Sequence, residues 1–139
     1  MYLEGNQVNI FVVEDEPLLL AIYVAILKDN FPICHITGFS DSLCALENIR
    51  SDLPNVIITD YLMPKLSGID LLKETRVIDW DVKIILMSGS MNDSVINQAS
   101  YLGVNMTLTK PIDFVDISNA VISCLALSPV KFLKQGNTL

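Results

Sequence analysis

The sequence predicts an α/β protein, a doubly wound five-stranded parallel sheet in the order 2-1-3-4-5. Three observations carry that expectation. Short apolar runs alternate five times with longer segments of helical period, the pattern of βα units that place helices on both faces of a parallel sheet. The first, third and fourth runs are almost wholly apolar, as strands covered on both faces must be. The second and fifth carry polar residues, as sheet edges do, and that assignment gives the strand order.

The elements follow in turn. Residues 8–13 (VNIFVV) form the first strand, and Pro17 opens a helix at the position where its missing N–H is harmless. That helix runs to about residue 29, and residues 33–37 (ICHIT) form the second strand. Residues 41–50 (DSLCALENIR) are an amphipathic helix and 55–59 the third strand. Residues 67–77 are a helix with Lys73, Glu74 and Arg76 available to solvent, and 82–87 (VKIILM) are the fourth strand. Residues 92–102 form a helix that Gly103 ends. Residues 104–108 (VNMTL) are the fifth strand, and the last helix spans 112 to about 127. One domain is expected over 1–127, followed by a C-terminal tail or linker at 128–139 with no clear period.

Composition limits the function classes. Of 139 residues, 51% are hydrophobic and 18% charged, which excludes a disordered chain. The formal charge of −7 disfavours nucleic acid, so no direct nucleic-acid partner is expected. Cys34, Cys44 and Cys124 are an odd number without a CxxC pair, and read as reduced, mostly buried thiols of a cytoplasmic protein. The start has neither a basic nor an apolar signal-peptide region. The uncharged stretch 18–27 has ten residues, about half of what a bilayer crossing needs, so no membrane partner is expected.

The residues that follow the strands carry the chemistry. Glu14, Asp15 and Glu16 follow the first, Asp60 the third, Ser88 the fourth and Lys110 the fifth. Ligands of open α/β sheets bind beyond the carboxyl ends of the strands where the order reverses. That reversal lies between the first and third strands and gathers Glu14, Asp15 and Asp60. Carboxylates so close resist joint ionisation, and Mg²⁺, which takes a few carboxylates plus water and phosphate oxygens, resolves the conflict. An ionised Asp60 at the strand tip, expected to be exposed there, can attack phosphorus and form an aspartyl phosphate. Lys110, the Ser88 hydroxyl and backbone N–H groups would meet the phosphoryl oxygens. Singly, these residues read as helix-start acids, a turn aspartate, a turn serine and a surface lysine; one suitable residue at the same end of four strands outweighs those readings.

With these residues in view, the sequence resembles the receiver domain of two-component response regulators. The matching stretches are VVEDE at 12–16, DYLMP at 60–64 with SGID at 67–70, MSG at 87–89 and TKP at 109–111, within a likeness over about 8–127. The resemblance implies a flavodoxin-like (βα)5 fold. It implies that Asp60 accepts phosphoryl from a histidine kinase or a phosphotransfer protein. It implies Mg²⁺ bound by Asp15, Asp60 and the Leu62 backbone carbonyl, with Glu14 direct or through water. Ser88 is then the switch hydroxyl, Lys110 the phosphate-pairing lysine, and the Lys110–Pro111 peptide cis. One departure stands out: Thr107 occupies the position, three before the lysine, where such receivers usually carry an aromatic ring.

The first and last helices raise a separate expectation. Neither 18–27 nor 117–127 contains a charge, and right-handed crossovers place the two helices side by side. An apolar patch there would serve a homodimer, a docked partner or a missing domain, unless Val130, Phe132 and Leu133 of the tail cover it. His35, Trp80 and Tyr101 read as structural or packing residues.

The leading function is therefore a phosphorylation-controlled signalling switch, not a metabolic enzyme, limited to self-phosphorylation and slow autodephosphorylation. The alternative is a receiver-like docking or dimerisation scaffold with little phosphorylation-dependent output. An aspartyl-nucleophile hydrolase of the dehalogenase type would need a second Asp at position 62, which is leucine, and a nucleotide-binding domain would need a GxGxxG after the first strand.

Overall fold

In the computed structural model, which describes residues 7–127, strand and helix alternate throughout. The elements are β1 (Asn9–Val13), α1 (Pro17–Asn30), β2 (His35–Phe39), α2 (Ser42–Ser51), β3 (Val56–Asp60), α3 (Gly68–Ile78), β4 (Lys83–Ser88), α4 (Asp93–Tyr101), β5 (Met106–Thr109) and α5 (Phe114–Ala126). All strands are parallel, in the order β2-β1-β3-β4-β5. Among the described residues no helix is long and apolar enough to cross a membrane. The expected tail at 128–139, with its candidate cover residues, lies outside the described residues.

Side chains alternate across the sheet and build two cores. Ile10, Val12, Ile58, Ile85 and Met87 face α1 and α5, where Tyr23, Leu27, Ile117 and Val121 meet them. Phe11, Val13, Ile57, Ile84 and Leu86 face α2, α3 and α4, where Leu46, Ile49, Leu71, Leu72 and Val95 meet them. Each such Leu or Ile contributes roughly 1.5–3 kcal/mol by leaving water. Because β3 is buried along its whole length, its last residue, Asp60, is carried into protein rather than solvent.

Helix starts are fixed by residues that the sequence placed inside helices. Asp41, Ser67 and Asn92 are caps, whose side chains accept the backbone N–H groups of Leu43, Asp70 and Val95, and Asp113 caps α5 through Val115. A cap of this kind is worth about 1 kcal/mol. Helix α1 has no side-chain cap and begins with Pro17 at its first position.

Every strand begins later than the sequence suggested, and β2 and β5 do so by two residues. Cys34 N–H bonds the Phe31 carbonyl in a turn, so β2 starts at His35, whose N–H reaches Val8. Val104 spends its N–H on the Ala99 carbonyl after Gly103 turns with φ +67°, so β5 starts at Met106. Arg76 is not on the solvent face. It is buried, donating Nε to the Leu102 carbonyl at 2.8 Å, Nη1 to Val82 at 2.8 Å and Nη2 to Gly103 at 3.0 Å, with its guanidinium 4.9 Å from the Trp80 ring centre. Burial lowers its pKa, against the charges of Asp79 and Asp81.

The thiols are mostly buried as expected: Cys34 and Cys124 are buried and Cys44 is exposed. Tyr101 is 83% exposed and is not a packing residue. Trp80 is largely exposed despite its contact with Arg76, and His35 is exposed on the β2 edge. On α1 and α5, Leu18 is 70% and Val115 63% exposed, with Phe114 and Ile122 also exposed, while the residues named as a cover lie outside the described ones.

Candidate functional site

The carboxyl edge of the sheet gathers the acids. Val13 is level with Thr59 in the β1–β3 ladder, so Glu14 and Asp60, one residue further on, emerge side by side. Carboxylate oxygens of Glu14, Asp15 and Asp60 all lie within 4.8 Å of one another. Ser88 ends β4 opposite Thr109 of β5, and Lys110 N–H bonds the Ser88 carbonyl at 2.8 Å, which fixes the start of the lysine side chain beside them. The Lys110–Pro111 peptide is cis.

Lys110 ties the cluster together. Its Nζ donates to Glu14 Oε1 at 2.8 Å and to Asp60 Oδ2 at 3.0 Å. Asp60 Oδ1 accepts the Tyr61 N–H at 2.9 Å, and Glu14 Oε2 accepts the Glu16 N–H at 3.2 Å. Glu14 is 1% and Asp60 7% exposed, so Asp60 is not the exposed tip expected from sequence: it is sunk among its partners. Burial holds the Glu14 carboxyl above its ordinary range, against the pull of Lys110 and the Glu16 N–H. Burial lowers the Lys110 ammonium too, but the bonds and charges of Glu14 and Asp60 outweigh it and leave the pKa raised.

The β3–α3 loop is held tightly against this edge. Gly68 donates to the Tyr61 carbonyl at 2.9 Å, and a Cβ at Gly68 would sit 2.0 Å from the Asp60 carbonyl oxygen. Lys65 adopts φ 69°, a left-handed conformation, and reaches Asp41 Oδ2 at 3.1 Å. That contact and the Leu43 N–H lower the Asp41 pKa. Leu62 is exposed at the loop tip. Ser88 is turned to its own loop: Oγ donates to the Ser90 carbonyl at 2.9 Å and accepts the Ser90 N–H at 3.1 Å. Thr107 is exposed on β5.

Sequence reasoning thus found Glu14, Asp15, Asp60 and Lys110, which converge, and Ser88, which stands at the same edge with its hydroxyl bonded elsewhere. It missed the need for Gly68, visible in retrospect only as the glycine of SGID beside the β3 loop. It also missed Tyr23, the sole polar side chain of the uncharged 18–27 stretch, which is buried on α1.

The parallel sheet thus carries an acid cluster at its carboxyl edge, with a lysine bridging two of the acids. The model of the response regulator receiver domain matches residues 10–122, and the chain belongs to that family. Transcriptional regulatory protein CitB of Klebsiella pneumoniae is 31% identical over 110 residues, 78% of this chain and 47% of CitB. Sporulation initiation phosphotransferase F of Bacillus subtilis (strain 168) is 30% identical over 88 residues, 63% of this chain and 71% of that protein. The chain therefore spans about half the length of CitB. A solved response regulator receiver domain protein from Clostridium thermocellum superposes with a TM-score of 0.77 at 28% identity, covering 84% of this chain and 93% of that one. Domains of this family generally act in signalling rather than as enzymes.

Proposed function

We propose that the chain is a phosphorelay receiver in which Asp60 accepts a phosphoryl group from a phosphohistidine of a histidine kinase or a phosphotransfer protein. The observation that carries the reading is the gathering of the Glu14, Asp15 and Asp60 carboxylates within 4.8 Å beside an ammonium bonded to two of them. An Asp60 oxygen forms the new bond to phosphorus, the P–N bond to the donor imidazole breaks, and the imidazole nitrogen keeps that electron pair. Such transfer depends mainly on positioning and on neutralising the equatorial oxygens. Lys110 meets one oxygen, and the Ser88 hydroxyl meets another after leaving the Ser90 carbonyl.

The donor set suits Mg²⁺. Its hard oxygens match that ion, and three carboxylates against one ammonium leave negative charge that a dication offsets. Glu14, Asp15, Asp60 and the Leu62 backbone carbonyl would hold it, and when bound it supplies neutralisation of one phosphoryl oxygen. The chain's own chemistry ends with slow hydrolysis of the acyl phosphate in a cytoplasmic setting. The test is acetyl phosphate with Mg²⁺ and the purified chain: wild type is labelled and Asp60→Ala is not. Equal labelling of Asp60→Ala would show that the site is misassigned.

The exposed Leu18, Phe114, Val115 and Ile122 favour a second, compatible reading, self-association or docking through α1 and α5. Sedimentation at increasing concentration tests self-association. A rise in mass that Val115→Glu abolishes supports it, and a constant monomer mass rejects it.

A further inference from the structure

We propose that the aromatic side chain through which phosphorylation is read in this chain is Tyr23, and that the surface it moves is the groove between α1 and the β5–α5 connection. The inference rests on Asp60 being the phosphoryl acceptor and goes beyond it by assigning the relay. Thr107 is exposed and carries no ring, and Tyr61, which lines a groove with Ser88, is only part-buried, so the groove beside Ser88 offers no buried ring.

The other side of the sheet does. A groove is lined by Leu19 and Tyr23 of α1 together with Lys110, Pro111, Ile112 and Phe114. Lys110 is therefore two things at once: its ammonium bridges Glu14 and Asp60, and it forms part of the wall that Tyr23 also lines. A phosphoryl oxygen on Asp60 competes for that ammonium and draws it from Glu14. Movement of the lysine changes the wall, and a closely packed ring responds by repacking rather than by continuous deformation. Tyr23 is also electrically close to the site. Burial raises its pKa, the Lys110 charge lowers it, and the Glu14 and Asp60 charges raise it.

The test uses the full chain with Mg²⁺ and beryllofluoride as the phosphoryl stand-in. Ring signals of the four tyrosines are followed by NMR, with Tyr23 assigned through Tyr23→Phe. The expected result is a shift of the Tyr23 ring and of Leu19 and Phe114, retained in Thr107→Ala and lost for Leu19 and Phe114 in Tyr23→Leu. Acetyl phosphate labelling of Tyr23→Leu should stay within about twofold of wild type, since the ring does not touch phosphorus. Shifts at Asp60 and Ser88 with a silent Tyr23 ring overturn the relay alone. No shift at Asp60 overturns the relay and the phosphoryl-acceptor reading together. Groove shifts that persist in Tyr23→Leu also overturn the relay. The wild-type ring measurement decides the matter even if Tyr23→Leu fails to fold.

Discussion

Replacing Lys110 with methionine keeps the apolar stem and removes the charge. In the structure that charge serves Glu14 at 2.8 Å and Asp60 at 3.0 Å, both buried, and the lysine side chain itself is only 22% exposed. Removing one partner of a buried, hydrogen-bonded ion pair typically costs about 3–5 kcal/mol, because the other charge stays buried. The lower end, about 3 kcal/mol, applies here because Asp60 and Glu14 keep backbone N–H partners at Tyr61 and Glu16. The pH dependence has a definite sign. The folded Glu14 pKa is raised above its unfolded value, so its contribution to stability is complete below the unfolded value and is lost as pH rises through the folded one. Loss of Lys110, which lowers that pKa, raises it further and widens the window. Urea unfolding with chelator present should show a deficit of about 3 kcal/mol at neutral pH that shrinks on acidification as Glu14 takes up its proton. A deficit below about 1 kcal/mol, or one that grows on acidification, would refute the reasoning.

Other perturbations have equally specific outcomes. Arg76→Met strips the guanidinium from the carbonyls of Leu102, Val82 and Gly103 and should lower urea stability by about 3 kcal/mol; a change under about 1 kcal/mol would contradict the buried bonding. Gly68→Ala places a methyl 2.0 Å from the Asp60 carbonyl oxygen, so the strand tip must move, and acetyl phosphate labelling should fall about a hundredfold in a rate assay. Burial pushes the Cys34 and Cys124 thiols up to about 11 while Cys44 is exposed, so a thiol reagent at mildly alkaline pH should modify Cys44 alone in the native chain and all three cysteines in denaturant. Fast native labelling of Cys124 would contradict the packing of α5.

Much of the architecture was legible because parallel strands announce themselves. The almost wholly apolar runs of β1, β3 and β4, against His35 and Thr37 in β2 and Thr107 in β5, indicated the strand order without any structure. The acids were legible for a related reason: topology alone brings whatever follows β1 and β3 to one place. Boundaries were less so, because Val104 and Cys34 look like strand residues but commit their N–H groups to turns, which apolar pattern cannot reveal. Arg76 was misread because a charged residue on a helix usually faces water; only the three carbonyls converging from the α4–β5 turn and the start of β4 explain its burial. The depth of Asp60 was misread likewise, since Lys110, fifty residues away in sequence, supplies the counter-charge that lets a carboxylate sit there.

The most direct test identifies the atom that takes the phosphoryl group. The chain is incubated with acetyl phosphate and Mg²⁺, the acyl phosphate is reduced with borohydride, and the converted residue is located by peptide mass spectrometry. Conversion of Asp60 to homoserine, abolished when Mg²⁺ is chelated, is the result expected here. Conversion at Glu14 or Asp15, stable phosphate on Ser88, or labelling indifferent to chelation would contradict it.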